Sequence, residues 1–303
     1  MATPRTIGID VGGTKILAGV VARDGSVLRS ERRDTPTDST EAFLAGLADA
    51  VDTLRDESVG AVGIGIPSTI DQRTGTSVFA VHVPLHDIPL RDRAEQYLGV
   101  PVAIDNDANC AAVAEWTIGA GRGTQHMVML TLGTGIGGGL ILAGRLYRGS
   151  SGAAAELGHM VLDYDGPQCR GFCTGLGHFE AFVSGSAATE LAQKLFGPDA
   201  GSKELVAAAR EGDEDALRGL AEIGRKLGSG MATLVNVFDP ELIVVGGGFG
   251  EAFDLLRGPA LETMRRDALP PGRDRVRVVP AELGEQAGMV GAGLIAFETL
   301  DAD

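Results

Sequence analysis

The chain has 303 residues, 44% of them apolar, and a formal net charge of −15, which is typical of a soluble globular protein with about two domains. This acidic balance disfavours nucleic acid and anionic membranes as main partners, because both bind basic surfaces. No run of ~18–20 apolar residues could cross a bilayer, and a strand predicted directly after residues 1–5 leaves no room for a signal peptide. Three cysteines cannot all pair, so we expect a protein of the reducing cytoplasm.

The first predicted elements are two strands, residues 6–10 and 16–21, joined by the turn sequence DVGGTK. A third strand is predicted after the turn dipeptide at residues 24–25. Backbone N–H groups of the glycine turn and the hydroxyl of Thr14 can face a phosphate, while Asp10 can hold a cation or its water. The spacing differs from that of a Walker A loop. A tight hairpin that needs glycine for its backbone angles is the purely structural alternative.

Helices and strands then alternate. A helix is predicted to begin at the capping-box spacing of residues 38–41, and a glycine-dotted strand covers residues 61–66. A helix at residues 90–98, a strand at 102–104 and a helix at 108–118 follow. The order of strands and helices indicates an α/β protein.

The arrangement of strand, glycine turn and strand then repeats. A strand at residues 128–132 leads into GTGIGGG at 133–139 and on to an apolar run at 140–142. We interpret this as a second phosphate-facing hairpin. A dinucleotide-binding motif fits less well, because a strand rather than a helix is predicted after the glycines.

The last part of the chain contains mostly predicted helices around one apolar strand. That strand, residues 242–245, ends in three glycines at 246–248, where a nucleotide sugar or base could lie against the backbone. The other predicted elements are helices at residues 179–195, 203–210, 216–238, from Phe249 and at 287–298, and a strand at 276–279.

Residues 156–180 concentrate the metal-binding chemistry of the chain. Cys169 and Cys173 are followed by His178 and preceded by His159, a set that suits a closed tetrahedral zinc site. Zinc with four protein ligands is structural, and we hypothesise that it orders the loop. It would thereby direct Glu156, Glu180 and the second nitrogen of His159 into a pocket. The alternative is two free thiols and two surface histidines that are merely close in sequence.

The sequence IDNDAN at residues 104–109 provides the catalytic candidate. Asp107 lies near the predicted N-cap of a helix, and an ordinary helix cap is one interpretation. The other is a partly buried base that accepts a proton from a substrate hydroxyl, while Asn106 binds another hydroxyl. Asp105 cannot serve both roles, because neighbours on a strand point to opposite faces.

Together these motifs resemble the ROK family of bacterial sugar kinases and repressors, within the actin-like ATPase fold. The resemblance covers nearly the whole chain. It is carried by DVGGTK at residues 10–15, DNDAN at 105–109, LGTGIGGG at 132–139, ELGH at 156–159, GHFE at 177–180 and VVGGG at 244–248.

The resemblance implies roles for individual residues. Asp107 would be the base for the transferred hydroxyl of a sugar, and the remaining hydroxyls would be held by Asn106, Glu156, His159 and Glu180. Structural zinc would be bound by His159, Cys169, Cys173 and His178. ATP phosphates and Mg²⁺ would lie at Asp10, Gly12, Gly13, Thr14, Lys15, Thr134 and Gly135, with Mg²⁺ near Asp10 and the adenosine at Gly247 and Gly248.

The resemblance also implies an architecture and an activity. We expect an α/β, ribonuclease H-like, two-domain protein in which each domain is a mixed sheet flanked by helices, with an interdomain cleft. Residues 1–118 with 287–303 would form the small domain, and residues 119–286 the large domain with the zinc loop. The leading hypothesis is an ATP-dependent hexose kinase acting on glucose, in a homodimer or homotetramer.

Other activities remain open at the sequence level. A non-catalytic sugar sensor, a kinase for fructose, allose or an N-acetylated hexosamine, and polyphosphate as donor are the alternatives. The chain departs from the family pattern in having two loop cysteines with His178 in place of a third, Ser68 where glycine is usual, and no asparagine or tryptophan at residues 82–86. Since no helix-turn-helix precedes the first strand, the repressor branch is disfavoured.

Overall fold

The computed structural model describes residues 4–80, 82–169 and 173–301. The chain forms two compact units. Unit 1 comprises Met1–Gly123, Gly139–Ala155 and Glu282–Asp303, and unit 2 comprises Thr124–Gly138 and Glu156–Ala281. Gly139–Ala155, which the sequence-based division assigned to the second domain, is thus part of unit 1. That division into domains stays a prediction.

Strands and helices alternate as expected for an α/β protein. The strands are β1 Arg5–Val11, β2 Lys15–Val21, β3 Val27–Asp34, β4 Val59–Ile66, β5 Ser68–Asp71, β6 Thr76–Ala80, β7 Val102–Asn106, β8 Met127–Leu132, β9 Ile136–Leu142, β10 Arg145–Leu146, β11 Leu242–Gly246 and β12 Arg277–Pro280. The helices are α1 Thr40–Leu54, α2 Leu90–Leu98, α3 Asp107–Thr117, α4 Phe179–Val183, α5 Gly185–Phe196, α6 Ser202–Arg210, α7 Glu214–Phe238, α8 Phe253–Asp267, α9 Gly272–Arg275 and α10 Ala287–Leu300. Three further 3₁₀ turns cover Leu157–His159, Gly250–Ala252 and Gly284–Gln286.

Unit 1 is built on a mixed sheet with the strand order β3-β2-β1-β4-β7. The central strand β1 pairs antiparallel with β2 and parallel with β4. Apolar side chains of these strands, such as Ile7 and Ile64, are buried with Phe43 and Leu47 of α1. Burial of so much apolar area is the main force that holds this sheet and helix together.

Helix α10 packs closely against β1, β4 and α3, and glycines make this approach possible. A Cβ atom at Gly8 would lie 1.9 Å from the carbonyl oxygen of Met289. The same atom at Gly63 would lie 1.8 Å from the carbonyl oxygen of Ala292, and at Gly291 it would lie 1.7 Å from that of Cys110. Only glycine allows backbones to meet at these distances.

The second five-stranded sheet has the order β10-β9-β8-β11-β12, in which β11 pairs parallel with both β8 and β12. In unit 2 the long helix α7 buries an apolar stripe that includes Leu220, Leu227 and Leu234. This helix packs along α8, where a Cβ at Gly228 would lie 2.3 Å from the carbonyl oxygen of Ala260.

Several sequence-based details are wrong. The helix predicted at residues 179–195 is interrupted at Ser184, whose backbone is extended and whose Oγ accepts a hydrogen bond from the N–H of Ala187 to begin α5. The cap of α1 is Ser39 alone, which accepts from Ala42 at 3.1 Å. The predicted helix from Phe249 starts as a 3₁₀ turn and becomes α-helical at Phe253.

The β5–β6 hairpin was not predicted. Its buried Ser68 bonds Ser77 Oγ at 2.7 Å and donates to the carbonyl oxygen of Phe79 at 2.8 Å. A hydroxyl network that crosses the hairpin compensates for the weak apolar pattern of these two strands. Within the described residues, none of the helices combines the length and apolar character needed to cross a membrane.

Candidate active site and metal centre

The junction between β7 and α3 contains the catalytic candidate. Asn106, not Asp107, caps the helix, because its Oδ1 accepts hydrogen bonds from the N–H groups of Ala108 at 2.9 Å and Asn109 at 3.3 Å. Asp107 is the first helical residue, and its Oδ1 accepts from Ala108 at 3.0 Å. The interpretation of Asp107 as the ordinary cap is therefore wrong, and its carboxylate is available for another role.

Asp105 is buried and fully engaged within unit 1. Its Oδ1 accepts from the N–H of Asn106 and from Nδ2 of Asn109, both at 2.8 Å, and its Oδ2 accepts from Nε of Arg148 at 2.6 Å. Sequence reasoning excluded Asp105 as the base but missed Arg148. No motif or spacing marks that arginine, which lies 43 positions from its partner.

The carboxylates of Asp10 and Asp107 both have raised pKa values. Burial and then the nearby Asp107 raise the pKa of Asp10 from its ordinary value to about 7, against a lowering effect of Lys15. Burial also raises the pKa of Asp107, and the N–H of Ala108 partly offsets the rise. Two adjacent, partly buried carboxylates are a suitable oxygen donor set for Mg²⁺, because a cation relieves their repulsion and desolvation.

The first glycine turn is a tight hairpin, and some of its polar groups already have partners within the protein. The N–H of Gly12 donates to the carbonyl oxygen of Lys15 at 2.8 Å, and Lys15 Nζ pairs with exposed Glu285 at 3.1 Å. A Cβ at Gly13 would lie 2.7 Å from Cβ of His82. Thr14 is exposed. Its hydroxyl is the group of this turn that is best placed to meet a phosphate from solvent.

The second glycine turn, in unit 2, lies beside the N-terminus of α5. The N–H of Gly133 donates to the carbonyl oxygen of Gly135 at 2.9 Å, and the N–H of Gly185 donates to that of Gly133 at 2.7 Å. Thr134 accepts from the N–H of Ser186 at 3.4 Å. A helix N-terminus next to a glycine turn is a favourable environment for anions.

The triple glycine after β11 also lies in unit 2. Gly247 has a φ of +84°, and a Cβ there would lie 2.5 Å from the carbonyl oxygen of Leu132. A Cβ at Gly248 would have no described atom within 4 Å. Gly247 is thus required by the turn itself, whereas Gly248 leaves an open backbone surface where a ligand could lie.

The four predicted metal ligands lie together in unit 2. The nearest donor atoms of His159, Cys169, Cys173 and His178 are all within 4.8 Å of one another. The two histidine Nδ1 atoms are 3.1 Å apart, Cys169 Sγ is 3.7 Å from Nδ1 of His159, and Cys173 Sγ is 3.5 Å from Nδ1 of His178. The two thiols and two histidines are thus close in space as well as in sequence, and their occupation by a metal stays a prediction.

These spacings fit zinc. Tetrahedral bonds of about 2.0–2.1 Å to nitrogen and about 2.3 Å to sulfur place nitrogen pairs about 3.3 Å apart and sulfur–nitrogen pairs about 3.6 Å apart. The values of 3.1, 3.7 and 3.5 Å, for three of the six donor pairs, agree with that geometry, and all six pairs lie within 4.8 Å. Both histidines approach through Nδ1, which leaves Nε2 of each ring for other partners. The residues 170–172 of the CRGFC sequence lie outside the described part of the loop.

The Cys/His cluster is connected to Glu180, a residue that is predicted to bind the sugar. Cys169 Sγ donates to Glu180 Oε1 at 3.0 Å, and Glu180 Oε2 accepts from the N–H of Ile136 at 3.2 Å. Burial, followed by the Glu180 carboxylate, raises the pKa of Cys169 above its ordinary value. Glu180 therefore links the cysteine cluster to the second glycine turn, where Gly135 is also adjacent to Oε2.

The ELGH motif folds as a 3₁₀ turn that begins after Glu156. Its close approach to β9 requires glycine, since a Cβ at Gly158 would lie 2.4 Å from the carbonyl oxygen of Ile136. Glu156 and His159 are both exposed on this turn. Their side chains are therefore accessible to a polar ligand.

The third cysteine, Cys110, has a different environment. It is fully buried in α3, and burial raises the pKa of its thiol well above the ordinary value, with nearby Asp105, Asp10 and Asp107 adding to the rise. A buried neutral thiol is a packing group rather than a nucleophile or metal ligand.

Comparison with known proteins agrees with these features. A model of the ROK family matches residues 6–299. The chain is 36% identical to a glucokinase of Streptomyces coelicolor, over 97% of this chain and 98% of that protein. It is 34% identical to an N-acetyl-D-glucosamine kinase of Citrobacter koseri, over 95% of this chain and 98% of that protein.

A solved structure shows the same fold. The crystal structure of a ROK family glucokinase from Streptomyces griseus in complex with glucose and AMPPNP matches with a TM-score of 0.85 and 36% identity. The match covers 97% of this chain and 99% of that one. The chain therefore belongs to the ROK family and has the actin-like ATPase fold of that family's kinases, as its sequence motifs predicted.

Proposed function

We propose that this chain, a hexose kinase of the ROK family, transfers the γ-phosphoryl group of ATP to the 6-hydroxyl of glucose, with Asp107 as general base. The observation that carries this proposal is the Asp107 carboxylate at the first residue of α3, where burial raises its pKa and Asn106 has taken over the capping role. The similarity of the chain to glucokinases supports glucose as the substrate.

In the proposed reaction Asp107 accepts the proton of the sugar hydroxyl as its oxygen attacks the γ-phosphorus and ADP leaves. A base with a pKa nearer to neutral holds this proton better than an ordinary aspartate would, which favours transfer in the transition state. Asn106 uses Oδ1 for the cap, and its Nδ2 donates one hydrogen to the carbonyl oxygen of Ser68 at 3.4 Å. The second hydrogen of Nδ2 would donate to a neighbouring sugar hydroxyl. Mg²⁺, held near Asp10, would neutralise charge on the phosphates.

The other sugar hydroxyls are assigned to Glu156, His159 and Glu180. Carboxylates and a neutral imidazole nitrogen accept hydrogen bonds from hydroxyls. His159 is a member of the Cys/His cluster, and Glu156 and Glu180 flank this cluster along the chain. Zinc would hold His159 through Nδ1 and leave Nε2 facing the sugar. Thr134, Gly135, Gly247 and Gly248 would contact ATP.

The proposal is tested with Asp107→Asn and a matched surface control, Asp52→Asn in α1. ADP release is measured with ATP and a panel of hexoses, and sugar binding is measured by calorimetry. We expect Asp107→Asn to lower kcat by about 10²–10⁴-fold, because general-base catalysis contributes that much, while sugar affinity changes little. Asp52→Asn should behave as wild type. Full activity of Asp107→Asn would remove Asp107 as the base.

The same panel separates the alternatives. Turnover of N-acetylglucosamine in preference to glucose would follow the similarity to the Citrobacter enzyme, and sugar binding without ADP release would indicate a sensor. Polyphosphate in place of ATP tests the donor. Cytoplasmic location and a homodimeric or homotetrameric state stay predictions, and light scattering of the purified protein checks the second.

A further inference from the structure

The arginine that pairs with Asp105 lies on a loop that is itself firmly held in unit 1. The carbonyl oxygen of Arg148 accepts from the N–H of Ala154 at 3.2 Å, and Ser151 accepts from the N–H of Gln72 at 2.8 Å. The side chain of Gln72 donates to the carbonyl oxygen of Ile104 at 2.8 Å. Gln72 thus links the loop, just after the arginine, to the end of β7.

The Arg148 side chain makes two unequal ion pairs. Its Nε donates to Asp105 at 2.6 Å, and the side chain of Asp105 is only 1% exposed. Its outer nitrogen reaches Glu298 at 3.2 Å, but Glu298 is 60% exposed. An ion pair with an exposed carboxylate contributes little, whereas a buried carboxylate depends strongly on its partner. The ion pair between Arg148 and Asp105 should therefore contribute more to stability than the pair between Arg148 and Glu298.

The other carboxylate oxygen of Asp105, Oδ1, accepts hydrogen bonds from residues before and after Asp107 in the chain. It accepts from the backbone N–H of Asn106 and from the side chain of Asn109, each at 2.8 Å. Asn109 Oδ1 is buried and has no hydrogen-bond partner within the described part of the chain, so the bond from Nδ2 to Asp105 is the interaction that orients this amide through its side chain. Asp107 lies between these two anchored positions.

We propose that Arg148 is a positioning residue, which holds the Asp105 carboxylate so that Asp105 fixes Asn106 and Asn109 and thereby sets the direction of the Asp107 side chain. This inference rests on the proposed function for its catalytic consequence, though not for its structural one. Misplacement of a reacting group by about 1 Å lowers rates by about 100-fold. Loss of the ion pair between Arg148 and Asp105 should therefore lower kcat.

The test compares Arg148→Gln with Arg148→Lys and with Arg145→Gln, a matched change at an exposed position in the same segment. We expect Arg148→Gln to lower kcat by about 10–100-fold, with the KM for ATP within about 3-fold of wild type. Arg148→Lys, which keeps the charge, should recover at least part of the loss. Arg145→Gln should retain wild-type kcat. A kcat for Arg148→Gln within about two-fold of that of Arg145→Gln would overturn the inference.

Amide hydrogen exchange provides a readout that does not depend on activity. Peptides that cover residues 103–110 should exchange faster in Arg148→Gln, whereas peptides from β8 in unit 2 should not change. Unchanged exchange at residues 103–110, or faster exchange throughout the chain, would overturn the positioning role. If wild-type protein phosphorylates none of the sugars, the proposed function fails, while exchange still decides whether Arg148 orders this segment.

Discussion

The substitution Gly291→Ala tests the close packing of α10 on α3. The new Cβ would lie 1.7 Å from the carbonyl oxygen of Cys110, whereas an ordinary carbon–oxygen contact is about 3.3–3.6 Å. The two helices must therefore separate by more than about 1.5 Å. Overpacking lowers stability by about 1–3 kcal/mol, and this site lies at the upper end because two rigid backbones meet there. The better helix propensity of alanine raises stability by about 1 kcal/mol. We expect a net loss of about 2 kcal/mol.

Thermal unfolding followed by circular dichroism measures this loss, which corresponds to a Tm lower by about 4–8 °C for a domain of 150–250 residues. The matched control is Gly219→Ala in α7, where the new Cβ would meet the flexible tip of Leu191. Because that side chain can rotate away, we expect a stability within about 1 kcal/mol of wild type. If Gly291→Ala and Gly219→Ala have the same Tm, the backbone contact at Gly291 does not limit the packing of α10.

Three further predictions concern the site. Asp107 must be ionised to act as a base, and burial raises its pKa. We therefore expect kcat/KM to fall on acidification at a pH above about 3.9, the ordinary pKa of an aspartate. A pH–rate profile checks this, and an acid limb at the ordinary value would contradict it. Cys173→Ser removes one of four predicted ligands, so the zinc content should fall from about one ion per chain. Elemental analysis measures this content, and an unchanged value would exclude Cys173 as a ligand. Gly288→Ala places a Cβ 2.5 Å from Cγ of Asp10, so it should raise the Mg²⁺ concentration needed for half-maximal rate without lowering Tm by more than a few degrees. An unaltered Mg²⁺ dependence would argue against metal binding near Asp10.

Local patterns in the sequence predicted most of the elements. The apolar period along α7 and the alternation of strands and glycine turns at β1–β2 reflect burial of one face, which depends on near neighbours in the chain. The spatial grouping of four side chains was also predictable, because His159, Cys169, Cys173 and His178 all fall within one short segment. Such features need little knowledge of the rest of the fold.

Features that depend on distant partners were not predictable. Ser184 ends a helix because the N–H of the next residue, Gly185, is bound by Gly133, about 50 positions earlier. The role of Asn106 as cap, in place of its neighbour Asp107, depends on where β7 ends in the sheet. Arg148 becomes recognisable as a partner of Asp105 only once the loop after β10 is placed in unit 1.

The helix that completes unit 1 also affects how the protein is made. Synthesis on the ribosome delivers β1 and β4 first, with Gly8 and Gly63 exposing bare backbone on the face that Ala287–Leu300 later covers. All of unit 2 is translated before that helix emerges. During this interval the nascent sheet has an open apolar side, which is a target for chaperones and for aggregation. Fragments that stop before Ala287 should therefore be recovered in inclusion bodies.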